Sequence, residues 1–527
     1  MSTKAISIIL LIIFFAVMIG VGIRTRKKAR SVAGFVLGSR QVGPWITAFA
    51  FGTSYFSAVI FVGYAGQFGW NFGLASTWAG LGNAFIGSLL AWNILGRRTR
   101  IMTQHLDAKT MPDFFGKRFE STPMKVTASI IVFIFLIPYT ASLYNGLSSL
   151  FGLVFDIPYW AVIAIMAVLT GFYVVFGGYM ATAINDFIQG IIMLFGICAV
   201  IGSVLVANGG LISSMEKLSQ VETEGWTHGA FSSFLGPDPL ALLFVVLLTS
   251  LGTWGLPQMV NKFYAIKSED DIHKGTVIST FFAIIVAGGC YFLGGFGRLY
   301  GDRISYQSDG VTPLFDTIVP SMLATLPALV IAIVIVLVLS ASMSTLSSLV
   351  LTSSSTFTLD VIQPASGNTI NEIKQIRIMR VMILFFILVS AVIAVVKDAH
   401  PEFTFIAQMM GVSWGALAGS FLAPFLYGLY WKGISRASCY ACFIWGCGLM
   451  VIQMIVSFTG VDVTTWGPFL GYVFASSIRS GVIAMLGSLI LVPLVSLFTP
   501  KQERAEVDAM FDCYDVRVTV PQKEALE

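Results

Sequence analysis

Long apolar stretches recur along the whole chain, each about the length of a membrane-crossing helix. The first runs from Ala5 to Ile23, and a helix needs about 20 apolar residues to cross a bilayer. A basic cluster follows it and no small-residue cleavage site is present, so it is predicted to be a spanning helix and not a signal peptide. Hydropathy predicts further spans near residues 44–65, 72–95, 126–152, 158–178, 186–207, 238–258, 275–297, 325–354, 375–396, 403–429, 437–458 and 480–498.

These stretches predict an all-α membrane protein with thirteen transmembrane helices in one unit. The polar segment after Pro500, residues 501–527, is predicted to be a tail. It is too short for a kinase or another catalytic domain, which argues against a membrane sensor.

Basic residues fall mainly in every second predicted loop. One of these loops holds Lys262, Lys267 and Lys274, and the segment after the first span holds a larger cluster. Cytoplasmic loops collect Lys and Arg. The pattern therefore predicts a multi-pass protein of the plasma membrane with its N-terminus outside and its C-terminus in the cytoplasm.

Composition narrows the possible functions. Hydrophobic residues make up 56% of the chain and charged residues 11%, so lipid must cover most of the apolar surface. The net charge of +4 follows the loop bias and implies no nucleic-acid partner. All four histidines fall in predicted loops. No nucleophile, base and metal-ligand set converges within the spans, so the chain is not expected to be an enzyme or to hold an organic cofactor.

Two predicted spans are interrupted by small and polar residues. These segments are Gly52–Ser57 in the second span and Thr249–Pro257 in the seventh. Carriers built from inverted repeats have two helices broken at mid-membrane, where backbone groups bind ion and substrate. Small residues also allow close helix packing, and composition alone does not separate the two interpretations.

The ninth predicted span is rich in hydroxyl side chains between residues 340 and 348. Ala341, Ser344 and Thr345 stand at i, i+3 and i+4 and so share one helical face. Two hydroxyls and nearby carbonyls could bind a small hard cation. Hydrogen bonds to a neighbouring helix are the other interpretation.

Asp186 is an ionisable residue at the predicted start of the sixth span. Charged groups inside a membrane are costly and often functional. Asp186 could cap the N-terminus of its helix, or it could take part in ion release and gating.

At these same segments the chain resembles the sodium:solute symporter family, whose members carry proline, pantothenate, monocarboxylates, sugars or iodide. The resemblance covers most of the chain. The matching motifs are Gly38-Ser39-Arg40, Thr53-Ser54-Tyr55-Phe56-Ser57-Ala58, Phe176-Gly177-Gly178-Tyr179, Asn185-Asp186-Phe187-Ile188-Gln189-Gly190, Gly255-Leu256-Pro257-Gln258 and Met343-Ser344-Thr345-Leu346-Ser347.

The resemblance implies a LeuT-like core of two inverted five-helix repeats with broken first helices. The core would occupy residues 44–430, after an extra helix and loop in residues 1–43 and before two helices in residues 431–500. Sodium would be the coupling ion. Its implied ligands are the carbonyls of Thr53, Phe56 and Ala341 and the hydroxyls of Ser344 and Thr345.

The substrate is less well defined by the resemblance. Candidate lining residues lie beside or face the predicted breaks, and each could instead serve helix packing. They are Tyr55, Ser57, Tyr139, Thr253 and Trp254.

Proline carriers of the family have an aspartate at the position of Tyr55, whereas the pantothenate-like branch is similar to this chain in its Tyr55, Ser57 and Ala58 pattern. A small carboxylate such as pantothenate or a monocarboxylate is therefore the expected substrate, with proline or another amino acid as the alternative. A proton-coupled carrier would need a titratable Lys, Glu or His near the ion position, and none is evident in the sequence.

Overall fold

The computed structural model describes residues 3–155, 157–222, 225–306, 312–399 and 406–515. Its regular structure within these ranges is helical. The β pairings found there are two isolated bridges, Val42 with Ile266 and Tyr306 with Pro313. The prediction of an all-α chain is confirmed for this part of the protein.

We number the main helices in chain order. They are α1 (Thr3–Thr25), α2 (Val32–Leu37), α3 (Pro44–Tyr55), α4 (Val59–His105), α5 (Met111–Arg118), α6 (Thr122–Val154), α7 (Tyr159–Ala207), α8 (Leu211–Ser219), α9 (Pro239–Leu251), α10 (Pro257–Ala265), α11 (Glu269–Gly294), α12 (Ile318–Leu323), α13 (Ala328–Ala365), α14 (Glu372–Ala399), α15 (Ile406–Tyr430), α16 (Arg436–Thr459), α17 (Pro468–Phe474), α18 (Ser477–Phe498) and α19 (Arg504–Phe511). Short 3-10 turns outside these helices lie at Arg26–Ala29, Gly38–Arg40, Ala230–Ser232, Gly252–Gly255, Gly297–Arg303, Phe315–Thr317, Val463–Trp466 and Asp512–Tyr514.

By length and hydropathy, 10 helices of the described ranges could cross a membrane, or 11 if the bent pair Pro239–Gly255 and Pro257–Ala265 is one span. This count does not confirm the predicted thirteen. The difference lies partly in α7, which covers two predicted spans, 158–178 and 186–207, and is counted as one helix although it is kinked at Gly178. Both α4 and α7 contain a glycine with positive φ, Gly73 at 60° and Gly178 at 54°.

Helix α13 forms the centre of the protein. Every residue from Val334 to Thr356 is buried, as expected of a helix that is surrounded by other helices. It packs against α1, α3, α6 and α7. The hydroxyl-rich segment of the ninth predicted span therefore lies in the interior, away from lipid.

Helices α4 and α11 cross with almost no space between their backbones. A Cβ atom on Gly69 would lie 1.9 Å from the Gly294 carbonyl oxygen, and one on Gly294 would lie 2.1 Å from the Ala65 carbonyl oxygen. Only glycine fits this crossing, because no real Cβ atom approaches backbone so closely.

Gly294→Ala is expected to lower the thermal unfolding midpoint of the purified protein, because the added methyl group must push α4 and α11 apart. Overpacking of this kind costs about 1–3 kcal/mol or more. Gly288→Ala on α11 is the matched control, since a Cβ atom there meets nothing within 4 Å. Equal losses in the two variants would contradict the close crossing.

Candidate functional site

The predicted break in the second span is confirmed. Helix α3 ends at Tyr55, and Phe56 is extended with φ −79° and ψ 103°. The helix resumes as α4 at Val59. The last carbonyls of a helix have no intrahelical partner. The end of α3 therefore presents backbone oxygens inside the protein that can accept hydrogen bonds from other helices or bind an ion.

The predicted break in the seventh span is also confirmed. Helix α9 tightens into the 3-10 turn Gly252–Gly255, Leu256 is extended, and α10 begins at Pro257. This turn lies directly against α15, because a Cβ atom on Gly255 would be 2.8 Å from the Ala418 Cα atom.

Four oxygen atoms meet where the end of α3 touches α13. The Ser344 hydroxyl is 3.1 Å from the carbonyl oxygens of both Thr53 and Ala341. The Thr345 hydroxyl is also 3.1 Å from each of these two carbonyl oxygens. All four residues are fully buried. The structure thus brings together four of the five residues that the resemblance implies for sodium.

These four oxygens can do more than join two helices. Each hydroxyl has one proton and therefore can donate to only one of its two carbonyls at a time. The four oxygens thus have more acceptor lone pairs than protons, and a hard cation could fill this shortage, since such ions take carbonyl and hydroxyl oxygens as ligands. The cluster is therefore fit to bind a small alkali cation without a formal counter-charge.

Phe56, the fifth residue of the implied set, lies in the break itself. Its amide donates to the Gly52 carbonyl at 3.3 Å. Among the described hydrogen bonds, the Ser344 and Thr345 hydroxyls reach Thr53 and Ala341 but not the Phe56 carbonyl. The hydrogen-bonded part of the cluster therefore consists of the other four residues, and the Phe56 carbonyl stays a predicted ligand.

Next to the oxygen cluster lies a buried ion pair. The Lys262 ammonium is 3.5 Å from a carboxylate oxygen of Asp186, and both side chains are almost fully buried. The ammonium also lies 5.3 Å from the centre of the Tyr179 ring. Burying a charge is costly unless it is paired, so Lys262 and Asp186 stabilise each other in their charged forms.

Hydroxyl groups connect this ion pair to the end of α3. Lys262 donates to the Ser348 hydroxyl at 3.1 Å, and this hydroxyl is 2.9 Å from the Ser54 hydroxyl. Ser54 follows Thr53 in the chain, and Ser348 lies one helical turn beyond Ser344. The ion pair is therefore linked by hydrogen bonds to α13 and α3, the two helices that form the oxygen cluster.

Two expectations from the sequence are wrong here. Asp186 does not cap a helix, because it lies inside α7, beyond the Gly178 kink. Lys262 does not lie in a loop, since it belongs to α10 and is 2% exposed. A titratable lysine is thus present near the ion position, contrary to the sequence analysis.

Three buried polar groups lie close together at the first break. The Tyr139 hydroxyl lies close to the side chains of Ser57 and Trp414. The Tyr139 and Trp414 rings are 6.0 Å apart and nearly perpendicular. Within the described part of the chain, none of the three groups has a hydrogen-bond partner of good geometry. Buried groups of this kind can recognise a polar ligand. The sequence analysis named Ser57 and Tyr139 but not Trp414.

Thr253 and Trp254 do not join this group. The Thr253 hydroxyl donates to the Ser250 carbonyl at 2.8 Å, and the Trp254 indole donates to the Ile86 carbonyl at 3.0 Å. The Thr253 hydroxyl is also 3.4 Å from the Gly87 carbonyl oxygen, so both side chains contact the backbone of α4 beside the second break. The side chain of Tyr55 lies outside the described residues.

A second charged cluster closes the far end of α13. Lys125 is 3.1 Å from an oxygen of Asp113 and 3.5 Å from an oxygen of Asp360. The Thr110 hydroxyl donates to Asp360 at 2.6 Å. Burial alone would raise the pKa of Asp113, but the ammonium groups of Lys125 and Lys117 lower it below its usual value. The end of α13 is therefore tied to α5 and α6 by ion pairs.

Known proteins share both the sequence pattern and this architecture. The model of the sodium:solute symporter family matches residues 35–446. Sodium/proline symporter 2 of Staphylococcus saprophyticus is 28% identical over 452 residues, which cover 85% of this chain and 86% of that protein. The sodium/proline symporter of Staphylococcus aureus strain JH9 is 29% identical over 458 residues, 84% of this chain and 85% of that protein.

A solved structure has a similar fold. The substrate-bound outward-open state of a Na+-coupled sialic acid symporter aligns with a TM-score of 0.71 and 17% identity, covering 95% of this chain and 99% of that one. Because the family model spans most of the sequence, the chain belongs to the sodium:solute symporter family.

Proposed function

We propose that this protein couples the inward movement of sodium to the import of a small organic solute across the plasma membrane. The observation that carries the proposal is the cluster of the Thr53 and Ala341 carbonyls with the Ser344 and Thr345 hydroxyls. These oxygens belong to two separate helices, so a bound ion would hold α3 and α13 together.

Sodium binding would then set the state of the carrier. Coupling requires that sodium binds one conformation more tightly than the other. External sodium joins α13 to the broken α3 and favours an outward-open state that accepts solute. The membrane potential contributes about 2.3 kcal/mol per charge per 100 mV, which can drive the solute uphill.

Proline or a related amino acid is the proposed substrate. Both reported relatives carry the name sodium/proline symporter, which supports the alternative of the sequence analysis over the small carboxylate. The three groups of Ser57, Tyr139 and Trp414 are neutral, so they can bind a zwitterion by hydrogen bonds and ring contact. A small carboxylate stays the second candidate because Tyr55 departs from the aspartate of proline carriers.

We also propose thirteen membrane spans and an orientation for the two termini. Dividing α4 at Gly73 and α7 at Gly178, where φ is positive, and counting each broken helix as one span gives the thirteen crossings of the sequence analysis. Residues 44–430 would form the two inverted repeats. The loop charges support an arrangement with the N-terminus outside and the tail in the cytoplasm.

We assign gating to the buried pair of Asp186 and Lys262. Lys262 donates to the Ser348 hydroxyl, which in turn contacts the Ser54 hydroxyl at the end of α3. A shift of α3 on ion release would therefore change the surroundings of the ion pair. The pair would thereby sense whether the neighbouring ion site is filled.

Uptake into proteoliposomes tests the proposed function. A labelled panel of proline, pantothenate, short monocarboxylates and a hexose is offered with an inward sodium gradient, and with potassium in its place. We expect sodium-dependent accumulation of proline or a related amino acid. Accumulation of pantothenate instead would change the substrate but keep the coupling. Sodium-independent exchange of every compound would overturn the proposal.

A further inference from the structure

The segment after α18 folds back onto the rest of the protein. Residues 502–514 contain α19 and the 3-10 turn Asp512–Tyr514, and we call them the tail clamp. Val507 and Phe511 of this segment are 3% and 6% exposed. Asp508 also forms an ion pair of 2.6 Å with Lys432. The tail clamp is therefore a packed element of the fold.

Two arginines cap the end of α15 beneath the tail clamp. The Gly428 and Leu429 carbonyls lie in the last turn of α15, where helical donors run out. Arg118 of α5 donates to Gly428 at 3.1 Å, and Arg98 of α4 donates to Leu429 at 3.1 Å. Positive groups are favourable at this end of a helix. The ends of α4, α5 and α15 thus meet at these two guanidinium groups.

The tail clamp covers Arg118. The guanidinium group lies between the rings of Phe119 and Phe511, 5.1 Å from the centre of each. It donates to the Gln502 side-chain oxygen at 2.9 Å, and the Gln502 amide donates back to the Arg118 carbonyl at 3.1 Å. Two residues of the tail therefore hold Arg118 in place over α15.

The tail clamp covers Arg98 in the same manner. Its guanidinium group lies 4.1 Å from the centre of the Tyr430 ring and 4.5 Å from that of Tyr514. The Tyr514 hydroxyl is 3.3 Å from the carbonyl oxygens of both Arg98 and Leu429. Tyr514 thus contacts α4 and α15 at once, and the two helices cannot separate here without losing one of these contacts.

The two joined helices also flank the second break. Helix α4 accepts the Trp254 indole hydrogen bond at the Ile86 carbonyl. Helix α15 contacts the same break, because a Cβ atom on Gly255 would lie 2.9 Å from the Leu422 amide nitrogen. A displacement of α4 relative to α15 at the clamped end therefore changes the space around the broken helix.

We propose that the tail clamp is an intramolecular latch, which holds the ends of α4 and α15 together and must release before the solute leaves on this side. The inference rests on the proposed function, since it takes this side to be cytoplasmic and the cycle to alternate between two openings. Aromatic contacts to the two arginines and the Tyr514 hydrogen bonds favour the closed state. Loss of the latch would shift the population toward the inward-open state.

Thiol labelling tests this latch. A cysteine is placed at Thr352, which is 6% exposed and lines a narrow cavity with Lys262 and Ser355, in a chain whose native cysteines are changed to alanine. A membrane-impermeant maleimide is added from the tail side. Phe511→Ala with Tyr514→Ala is expected to speed labelling about tenfold, because a modest loss of closed-state contacts changes the open fraction by this factor.

Two controls separate the latch from other effects. Arg504→Ala alters an exposed residue of α19, and a chain that ends at Asp515 keeps the whole tail clamp. Both should label at the parent rate. Equal labelling in the double variant and the parent, or equal acceleration in a control, would overturn the proposal. Labelling needs no transport, so a wild type that carries no solute with sodium would refute the proposed function separately.

Discussion

Replacing Ser344 and Thr345 together with alanine is expected to raise the sodium concentration for half-maximal uptake by at least about tenfold, because half of the oxygen cluster is removed. A hydrogen-bonding or ligand contact of this kind contributes about 1–3 kcal/mol, and about 1.4 kcal/mol corresponds to a factor of ten. The measurement is a sodium titration of solute uptake in proteoliposomes.

The control for this variant is Ser354→Ala. Ser354 also lies on α13 and donates to a carbonyl of its own helix, that of Val350, at 2.6 Å. It lies ten residues beyond Ser344, about 15 Å along the helix, so its loss should leave the sodium titration unchanged. If the Ser344 and Thr345 variant also kept its sodium dependence while it reached the membrane normally, the cluster would not be the coupling site.

Lys262→Met is expected to be among the most destabilising single changes in this protein. It leaves the Asp186 carboxylate buried without its cation, and breaking a buried pair in this way costs about 3–5 kcal/mol. Thermal unfolding of the purified variant measures this loss. Adding Asp186→Asn removes the unpaired charge, so the double variant should regain most of the stability but not the coupled transport.

An exposed ion pair provides the comparison. Arg97 and Glu269 are 2.7 Å apart, with side chains 58% and 49% exposed. Water screens such a pair, which contributes about 0–1 kcal/mol. Arg97→Met should therefore unfold close to the wild type. A Lys262→Met protein as stable as Arg97→Met would show that the buried pair does not form.

Local signals in the sequence indicated where the central part of the site lies, and the family resemblance supplied its implied ligands. The breaks at Gly52–Ser57 and Thr249–Pro257 are marked by glycine or proline beside hydroxyl residues. Glycine and proline weaken a helix locally, although the same small residues also occur where helices pack closely. The spacing of Ala341, Ser344 and Thr345 on one helical face likewise depends only on helix geometry. These features could therefore be predicted without the fold.

The ion pair could not be found in this way. Helix α10 has only nine residues and is more polar than a spanning helix, so hydropathy assigns Lys262 to a loop. Its burial depends on Asp186 in α7, which is distant in sequence. The signal that was available is the break at Pro257 itself, because a half-helix that continues a broken span must lie inside the membrane.

The sequence also did not predict which way the candidate substrate-binding side chains point. Thr253 and Trp254 lie in the second break, yet the Thr253 hydroxyl donates to the Ser250 carbonyl of the preceding helix and the Trp254 indole to the backbone of α4. Trp414 is one of several aromatic residues in an apolar helix, and its contact with Tyr139 is what distinguishes it. Which way a side chain points from a broken helix is decided by the neighbouring helices and not by its position in the chain.

Equilibrium binding of radioactive sodium to the purified protein tests the central claim most directly, since it needs neither a known solute nor a transport cycle. The wild type should bind sodium saturably, and Ser344→Ala with Thr345→Ala should lose this binding while Ser354→Ala keeps it. Saturable binding of equal affinity in all three proteins would contradict the assignment of the ion to the cluster between α3 and α13.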